Sequence, residues 1–394
     1  MMPIHNRIIT FLKAHHRDMF ALLEKMVRIQ SGTYNKQGMD QMVRLITSAF
    51  QSNAVSFKVV EQDRFGNHLV VRSLCEKQFD KQILLSGHMD TVFPEDTEFN
   101  WYKEESTHCF GPGVIDMKGG LVAGIFALKA LDNEKLLTQM PVTFFFNSDE
   151  EIGSPSSRDH IQKEARKSAF AFVLETGGRN GEIVTGRKGN LSIELTIKGI
   201  AGHAAFAGKD KASAIVELAH KIIAFESLND PDRRISVNVG KVNGGIGPNT
   251  VPEQALARID FRFAEIADKA DLEKSISEIT RNKNIPKTSA HFSVLSSRPP
   301  MPTSEPNKKL FKAVRKTAAS IGLSISEEFR SGVSDANLIA GEQTPVIDGL
   351  GPVGAKDHSE DEHMIKASLT QRSVLTACAL IDCWEKYEKG LLFL

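Results

Sequence analysis

Val142-Thr-Phe-Phe-Phe-Asn-Ser-Asp-Glu-Glu151 begins as an unbroken apolar run of strand length and ends in two adjacent acids. A strand that is apolar on both faces belongs in a sheet covered on both sides, the mark of a parallel α/β layer. Two other stretches share the form. Gln82-Ile-Leu-Leu-Ser86 runs into Gly87-His88-Met89-Asp90, and Ala171-Phe-Val-Leu174 runs into Glu175. Residues 119–131, rich in Ala and Leu, read as a helix between them. Upstream, residues 4–29 intersperse Ile8, Leu12, Met19, Leu23 and Met26 with Arg7, Lys13, Arg17 and Glu24, an amphipathic helix. Residues 39–51 read as a second helix, and 56–61 and 67–73 alternate like strands. Together these predict an α/β domain with a mostly parallel sheet and helices on both faces.

Beyond Glu175 the pattern changes. Residues 190–198 alternate like a half-exposed strand, 212–227 are helical, 235–242 and 255–263 are strands, 269–281 are helical and 291–296 form a last strand. The order β-α-β-β-α-β is that of a ferredoxin-like α+β sandwich. Pro299, Pro300 and Pro302 punctuate a return to helix at 308–321, a strand at 345–348 and a closing helix at 365–385. Since 394 residues exceed what one core sustains, two domains are predicted: 1–187 with 301–394, and an inserted 188–300.

Composition narrows the function. Lys+Arg and Asp+Glu both number 49, so no basic field draws phosphate backbones and nucleic acid is not an expected partner. No apolar run approaches the ~20 residues of a membrane helix, so no membrane association is expected. The charged residues of 4–29 also break any secretory h-region. Cys75, Cys109, Cys378 and Cys383 lack CxxC spacing and read as reduced thiols. A cytoplasmic enzyme is the expectation.

The three strands end in metal-ligand residue types: His88 and Asp90, Glu150 and Glu151, and Glu175. Open α/β sheets bind ligands at the carboxyl ends of their strands. Polar strand ends also arise simply because strands emerge into solvent, but all three together favour a cation site. Asp90, two residues after His88, is placed to accept its imidazole N–H if the strand continues that far. Gly111-Pro-Gly-Val-Ile-Asp116-Met-Lys-Gly-Gly120 sets one acid in a glycine-punctuated loop, where an ordinary helix cap is the other reading. Gly349-Leu-Gly-Pro-Val-Gly354-Ala-Lys-Asp-His358-Ser-Glu-Asp-Glu362-His363 presents histidines amid acids, or merely an exposed acidic loop.

With Ser86-Gly-His-Met-Asp-Thr-Val-Phe-Pro94, Gly113-Val-Ile-Asp-Met-Lys-Gly-Gly120, Ser148-Asp-Glu-Glu-Ile-Gly153, Leu174-Glu175 and His358-Ser-Glu-Asp-Glu362, the chain resembles the co-catalytic di-zinc peptidase and deacylase family. That family includes glutamate carboxypeptidase, acetylornithine deacetylase, succinyl-diaminopimelate desuccinylase and aminoacylase; the likeness looks closest to glutamate carboxypeptidase. The resemblance runs in order over essentially the whole chain and places the family's lid and dimerisation domain at 188–300. It implies two Zn2+ per subunit, with Co2+ or Mn2+ also accommodated by such carboxylate-rich sites. His88 and Glu175 would bind one ion, Glu151 and His358 the other, and Asp116 would bridge them. Glu150 would be the general base and Asp90 the residue that orients His88. His203, in Gly199-Ile-Ala-Gly-His-Ala-Ala, would stabilise the oxyanion in the neighbouring subunit's site, which implies a homodimer. Asn249 and Arg262 would hold a free carboxylate of the substrate, a small peptide or N-acyl amino acid.

The implied activity is a carboxypeptidase-type amide hydrolysis through a hydroxide bridging the two ions. It would release an amino acid, glutamate by first preference, from a peptide, a folate-like conjugate or an N-acyl amino acid. A biosynthetic N-deacylase of the acetylornithine or succinyl-diaminopimelate type is the alternative, and an inactive metal-binding scaffold a third. Pro112 stands where many members have Arg, and Thr176-Gly-Gly-Arg179 lacks a proline often found there. His203 read without the resemblance is a turn histidine, and Asp260 with Arg262 a local ion pair. His358, not His363, sits at the family's spacing. No GxGxxG follows the first strand, which argues against a dinucleotide enzyme.

Overall fold

The computed structural model describes residues 2–50 and 52–394. They fall into two compact units: the described residues of Met1–Gly186 with Thr303–Arg330 and Ser334–Leu394, and Arg187–Pro302 with Ser331–Val333.

The first unit holds a six-stranded sheet in the order Val55–Val60, His68–Ser73, Val142–Asn147, Gln82–His88, Ser168–Val173, Val346–Ile347. The last four are mutually parallel, and the first two form an antiparallel hairpin at one edge. Val142–Asn147 and Ser168–Val173 are buried along their whole length, as their apolar runs require. Phe144 and Phe146 stack on one face within the main core. Phe145 turns the other way, towards His160 of the helix Arg158–Arg166, so helices cover both faces.

The helix Lys118–Asn133 is buried except at Lys129, Asp132 and Asn133. It lies between the sheet and the long helix Lys366–Glu388. Two glycines allow that approach: a Cβ on Gly120 would sit 1.9 Å from the Leu174 carbonyl oxygen, and one on Gly124 2.6 Å from the Phe144 ring. The close contact brings the loop preceding this helix beside the strand end that carries Glu175.

Some elements differ from expectation. Residues 4–29 form two helices, Ile4–Ala14 and His16–Arg28, because His15 leaves helical geometry at φ −97°, ψ 16°. Its ring nitrogen contacts the Phe11 carbonyl, which its own backbone N–H also uses. The helix expected at 39–51 runs from Lys36 to Phe50. It starts early because the Asn35 side chain accepts the Gly38 N–H at 3.0 Å; Gln51 lies outside the described residues. All four cysteines are free. Among the described residues, no helix is long and apolar enough to cross a membrane.

Arg72 of the hairpin donates to Glu164 of the helix Arg158–Arg166 at 2.8 and 2.9 Å. Burial pushes the Glu164 carboxyl up, but bonds from Arg72 and Gln82 outweigh it and bring it down to about 2. A carboxylate whose folded pKa is depressed stabilises the fold above its unfolded pKa and loses that contribution as pH falls through the folded value. Arg72→Met is therefore expected to cost about 2 kcal/mol near pH 7, within the range for partly buried pairs. The cost should shrink as the pH falls from about 4.5 towards 2. Thermal melts of both proteins across that range check it; a pH-independent gap would mean the guanidinium acts only by packing.

The second unit carries a four-stranded antiparallel sheet in the order Ser236–Gly244, Gln254–Phe263, Gly189–Lys198, Ser289–Arg298. Its helices are Ala214–Glu226 and Ile266–Arg281. In chain order this is β-α-β-β-α-β, with the first and third strands adjacent at the centre. Leu191, Ile193, Leu195 and Ile197 alternate into its core, meeting Ala257, Ile259 and Phe261 from the next strand.

Candidate metal centre

His88 ends its strand, Asp116 sits two residues before the helix Lys118–Asn133, and Glu151 lies on the single turn Glu150–Ile152 that follows Asn147. Glu175 follows the strand end at Val173, and His358 lies in the loop after the short strand Gly354–Ala355. The five residues expected to ligate metal lie together in the first unit. His88 Nε2 is 3.0 Å from Asp116 Oδ1 and 3.7 Å from Glu175 Oε1. His358 Nε2 is 3.1 Å from Asp116 Oδ2 and 3.3 Å from Glu151 Oε2. Each imidazole thus approaches a different oxygen of one carboxylate, with a further acid beside it.

Candidate ligand atoms of His88, Asp116 and Glu151 lie within 4.8 Å of one another, and Glu151 Oε1 is buried without a hydrogen-bond partner. A buried lone pair without a donor is costly, and a mixed set of carboxylates and imidazoles is what divalent zinc-like ions accept. The residues present fit a divalent metal ion.

The electrostatics report the same shortage of positive charge. Burial opposes charge on the His88 imidazole, but its bonds to Asp116 and Asp90 and the nearby Glu175 hold it well above its ordinary value. Bonds to Asp116 and Glu151 push His358 up to about 11. Burial pushes Glu151 up to about 8 and Glu175 well above the usual carboxylate range. Burial also acts on Asp116, but the two imidazoles hold it below that range.

Asp90 contacts more than His88. The strand ends at His88 instead of continuing through Asp90, so the nearest partner of His88 Nδ1 is the Asp90 carbonyl oxygen at 3.0 Å, with the carboxylate at 3.4 Å. The carboxylate itself accepts the backbone N–H groups of Glu150 and Glu151, both at 3.2 Å, and the Thr33 hydroxyl at 2.7 Å. It fixes the turn that presents both acids. His363 is excluded from the cluster: its Nδ1 meets the Asp361 carbonyl and its ring packs on His108 and Phe110. Asp116 is not a helix cap either, since the N-cap is Met117.

In the second unit, His203 and Asn249 are exposed neighbours. Gly202–His203 pairs with Thr250–Val251, and Ala204 N–H donates to the Asn249 carbonyl. His203 Nδ1 accepts the Ala205 N–H at 3.2 Å, which leaves Nε2 as the donor of a neutral ring. Arg262 Nε donates to Asp260 Oδ2 at 2.6 Å, so the local ion pair is present.

Glu362 has a part that its sequence position did not disclose. Its carboxylate, 1% exposed, accepts N–H groups from Gly113 at 2.9 Å, Ile115 at 2.9 Å and Asp116 at 3.1 Å. It holds the loop that carries Asp116. Nothing in its neighbourhood of the sequence marks Thr33 either, and nothing in the His358 motif distinguishes Glu362 from Glu360 and Asp361.

Residues 84–381 match the Peptidase family M20/M25/M40. Carboxypeptidase G2 of Pseudomonas sp. (strain RS-16) is 28% identical over 366 residues, spanning 91% of this chain and 87% of that one. Succinyl-diaminopimelate desuccinylase of Pseudoalteromonas translucida (strain TAC 125) is 27% identical over 401 residues, spanning 95% and 99%. Among solved structures, aminopeptidase PepT of Bacillus cereus superposes with TM-score 0.75 at 20% identity, covering 93% of this chain and 98% of that one. A dinuclear metal binding peptidase of Bacillus subtilis from the M20 family superposes with TM-score 0.69 at 17% identity, covering 94% and 98%. With three quarters of its length inside the family match and the fold shared, the chain is a hydrolase of peptidase family M20/M25/M40.

Proposed function

We propose that the protein is a two-metal amide hydrolase of carboxypeptidase type. It releases an amino acid with a free carboxylate, glutamate by preference, from a peptide, a folate-like conjugate or an N-acyl amino acid. The observation that carries the reading is the pair of imidazoles on opposite oxygens of Asp116, at 3.0 and 3.1 Å, each with its own additional acid. His88, Asp116 and Glu175 would hold one zinc ion, and Asp116, Glu151 and His358 the other; cobalt or manganese suits the same donors. Such a pair, when bound, polarises the scissile carbonyl and acidifies water.

The protein's own groups do the rest. Glu150, held by Asp90 through its backbone and outside the ligand cluster, takes a proton from the attacking water and passes it to the leaving nitrogen. His203 Nε2 donates to the developing oxyanion, as an oxyanion donor must. Asn249 and Arg262 take the substrate carboxylate, Arg262 by charge-assisted bonds. In this reading the second unit is a lid and dimerisation domain, and His203 serves the neighbouring subunit. The exposed Phe206, Ile223 and Ile246, at 85%, 71% and 91%, support a covered surface there.

Two relatives favour two substrates. The likeness to carboxypeptidase G2 supports removal of a residue that carries a free carboxylate, and the likeness to succinyl-diaminopimelate desuccinylase supports N-succinyl-diaminopimelate. The test is hydrolysis of N-acyl-glutamates, dipeptides, N-acetylornithine and N-succinyl-diaminopimelate by protein stripped with chelator and reloaded with Zn2+. Turnover should disappear on stripping, return on reloading and be highest on N-acyl-glutamates. Undiminished turnover after complete metal removal overturns the metal reading, and a desuccinylase-only profile overturns the glutamate preference.

A further inference from the structure

Arg372, in the helix Lys366–Glu388, is 4% exposed, and neither of its terminal nitrogens has a hydrogen-bond partner. Buried guanidinium groups are almost always paired, because an uncompensated charge in a low-dielectric interior is expensive. Arg372 lines a cavity of about 230 Å³ together with Arg179, Asn180, Ser324 and Gln371, and with Leu323 and Ile325 as apolar wall. The charges nearest to it do not neutralise it. Arg330 repels it, and Glu182, which attracts it, is engaged by Asn180 through both the backbone N–H at 2.8 Å and the side-chain amide at 2.9 Å. Burial, with Arg330 adding to it, brings Arg372 down to about 10, so it is still a cation at neutral pH.

We propose that this cavity is a binding site for a small oxyanion, a carboxylate or a phosphate. With a small displacement of the wall that covers them, the two unpaired nitrogens of Arg372 take two of its oxygens side by side, and the exposed Arg179 adds a second positive charge at the rim. The planar fork of arginine suits that bidentate hold, and the apolar wall limits competition from water. The site is separate from the five-residue metal cluster, but it adjoins the chain that carries it. Arg372 packs against Gly177, where a Cβ would lie 2.6 Å from its nitrogen. Gly177 is two residues beyond Glu175, and its N–H donates to Pro352 in the loop leading to His358.

Isothermal titration of the metal-loaded protein with inorganic phosphate and, separately, with succinate tests the site. Phosphate also binds to metal ions, so the informative quantity is the component removed by substitution at Arg372. Wild-type protein is expected to show a saturable site for one of the two anions that Arg372→Met weakens at least tenfold and Arg179→Gln weakens several-fold. Which anion binds identifies the source, a phosphate or a carboxylate. In anion-free buffer Arg372→Met should melt at or above the wild-type temperature, because it removes an unpaired charge. With saturating anion the wild type alone should rise, by about 2–4 °C. If Arg372→Met does not fold, Arg179→Gln, altered at an exposed position, still decides the matter. No saturable binding of either anion, or binding equal in wild type and both variants, overturns the proposal.

Discussion

Glu150→Gln is expected to keep its metals and lose roughly 10²–10⁴ in kcat, the usual contribution of a positioned general base. Glutamine fills the same space, and the turn's backbone is held by the Glu150 N–H to Asp90 at 3.2 Å and the Gly153 N–H to the Glu150 carbonyl at 2.8 Å. The ligand set does not include it, so metal content should stay at the wild-type value. What the proposed function would lose is the carboxylate that accepts a proton from water and returns it to nitrogen. Metal analysis and kcat on one preparation separate the cases: full metal with near wild-type kcat removes Glu150 from the chemistry, and lost metal makes it a ligand.

The second large effect is expected at Glu362. Its carboxylate satisfies three buried backbone N–H groups of the Asp116 loop, and each buried donor left without a partner costs about 1–3 kcal/mol. Glu362→Ala should therefore lose about 3–5 kcal/mol and release Asp116 from its place between the two imidazoles. Metal affinity, read by competition with a chromophoric chelator, should fall by at least tenfold to a hundredfold, the usual cost of losing a group that orients a ligand. Glu362→Gln should fall between, because one oxygen still serves Ile115 and Asp116 while its amide faces the Gly113 N–H donor to donor. Unchanged metal affinity in the alanine variant would show that the loop holds its shape without the carboxylate.

The sheet was legible because its parallel strands are apolar on both faces; Val142–Asn147 and Ser168–Val173 have no exposed position to disturb the pattern. The second unit showed by the opposite sign, the alternation of Leu191, Ile193, Leu195 and Ile197 with polar neighbours. The break at His15 was hidden because the apolar spacing of residues 4–29 continues across it, while the chain turns on a local bond that periodicity cannot register. At the site, the metal-ligand types stood out at strand ends. The supporting contacts did not, because they are long-range. Thr33 reaches Asp90 across 57 positions, and Glu362 reaches Asp116 across 246. Strand geometry points Asp90 at one partner; the strand stops short at His88, and the carboxylate, still 3.4 Å from the His88 ring, also takes the backbone N–H groups of Glu150 and Glu151.

The short sheet in which His363–Ile365 pairs with His108–Phe110 ties the last third of the chain to the loop beside Asp116. A growing polypeptide on the ribosome holds His88, Asp116, Glu151 and Glu175 long before His358 and Glu362 emerge. Until then Asp116 has neither its second imidazole nor its backbone clamp. The arrangement of acids and imidazoles around Asp116 is thereby completed only once the chain has been made as far as residue 362.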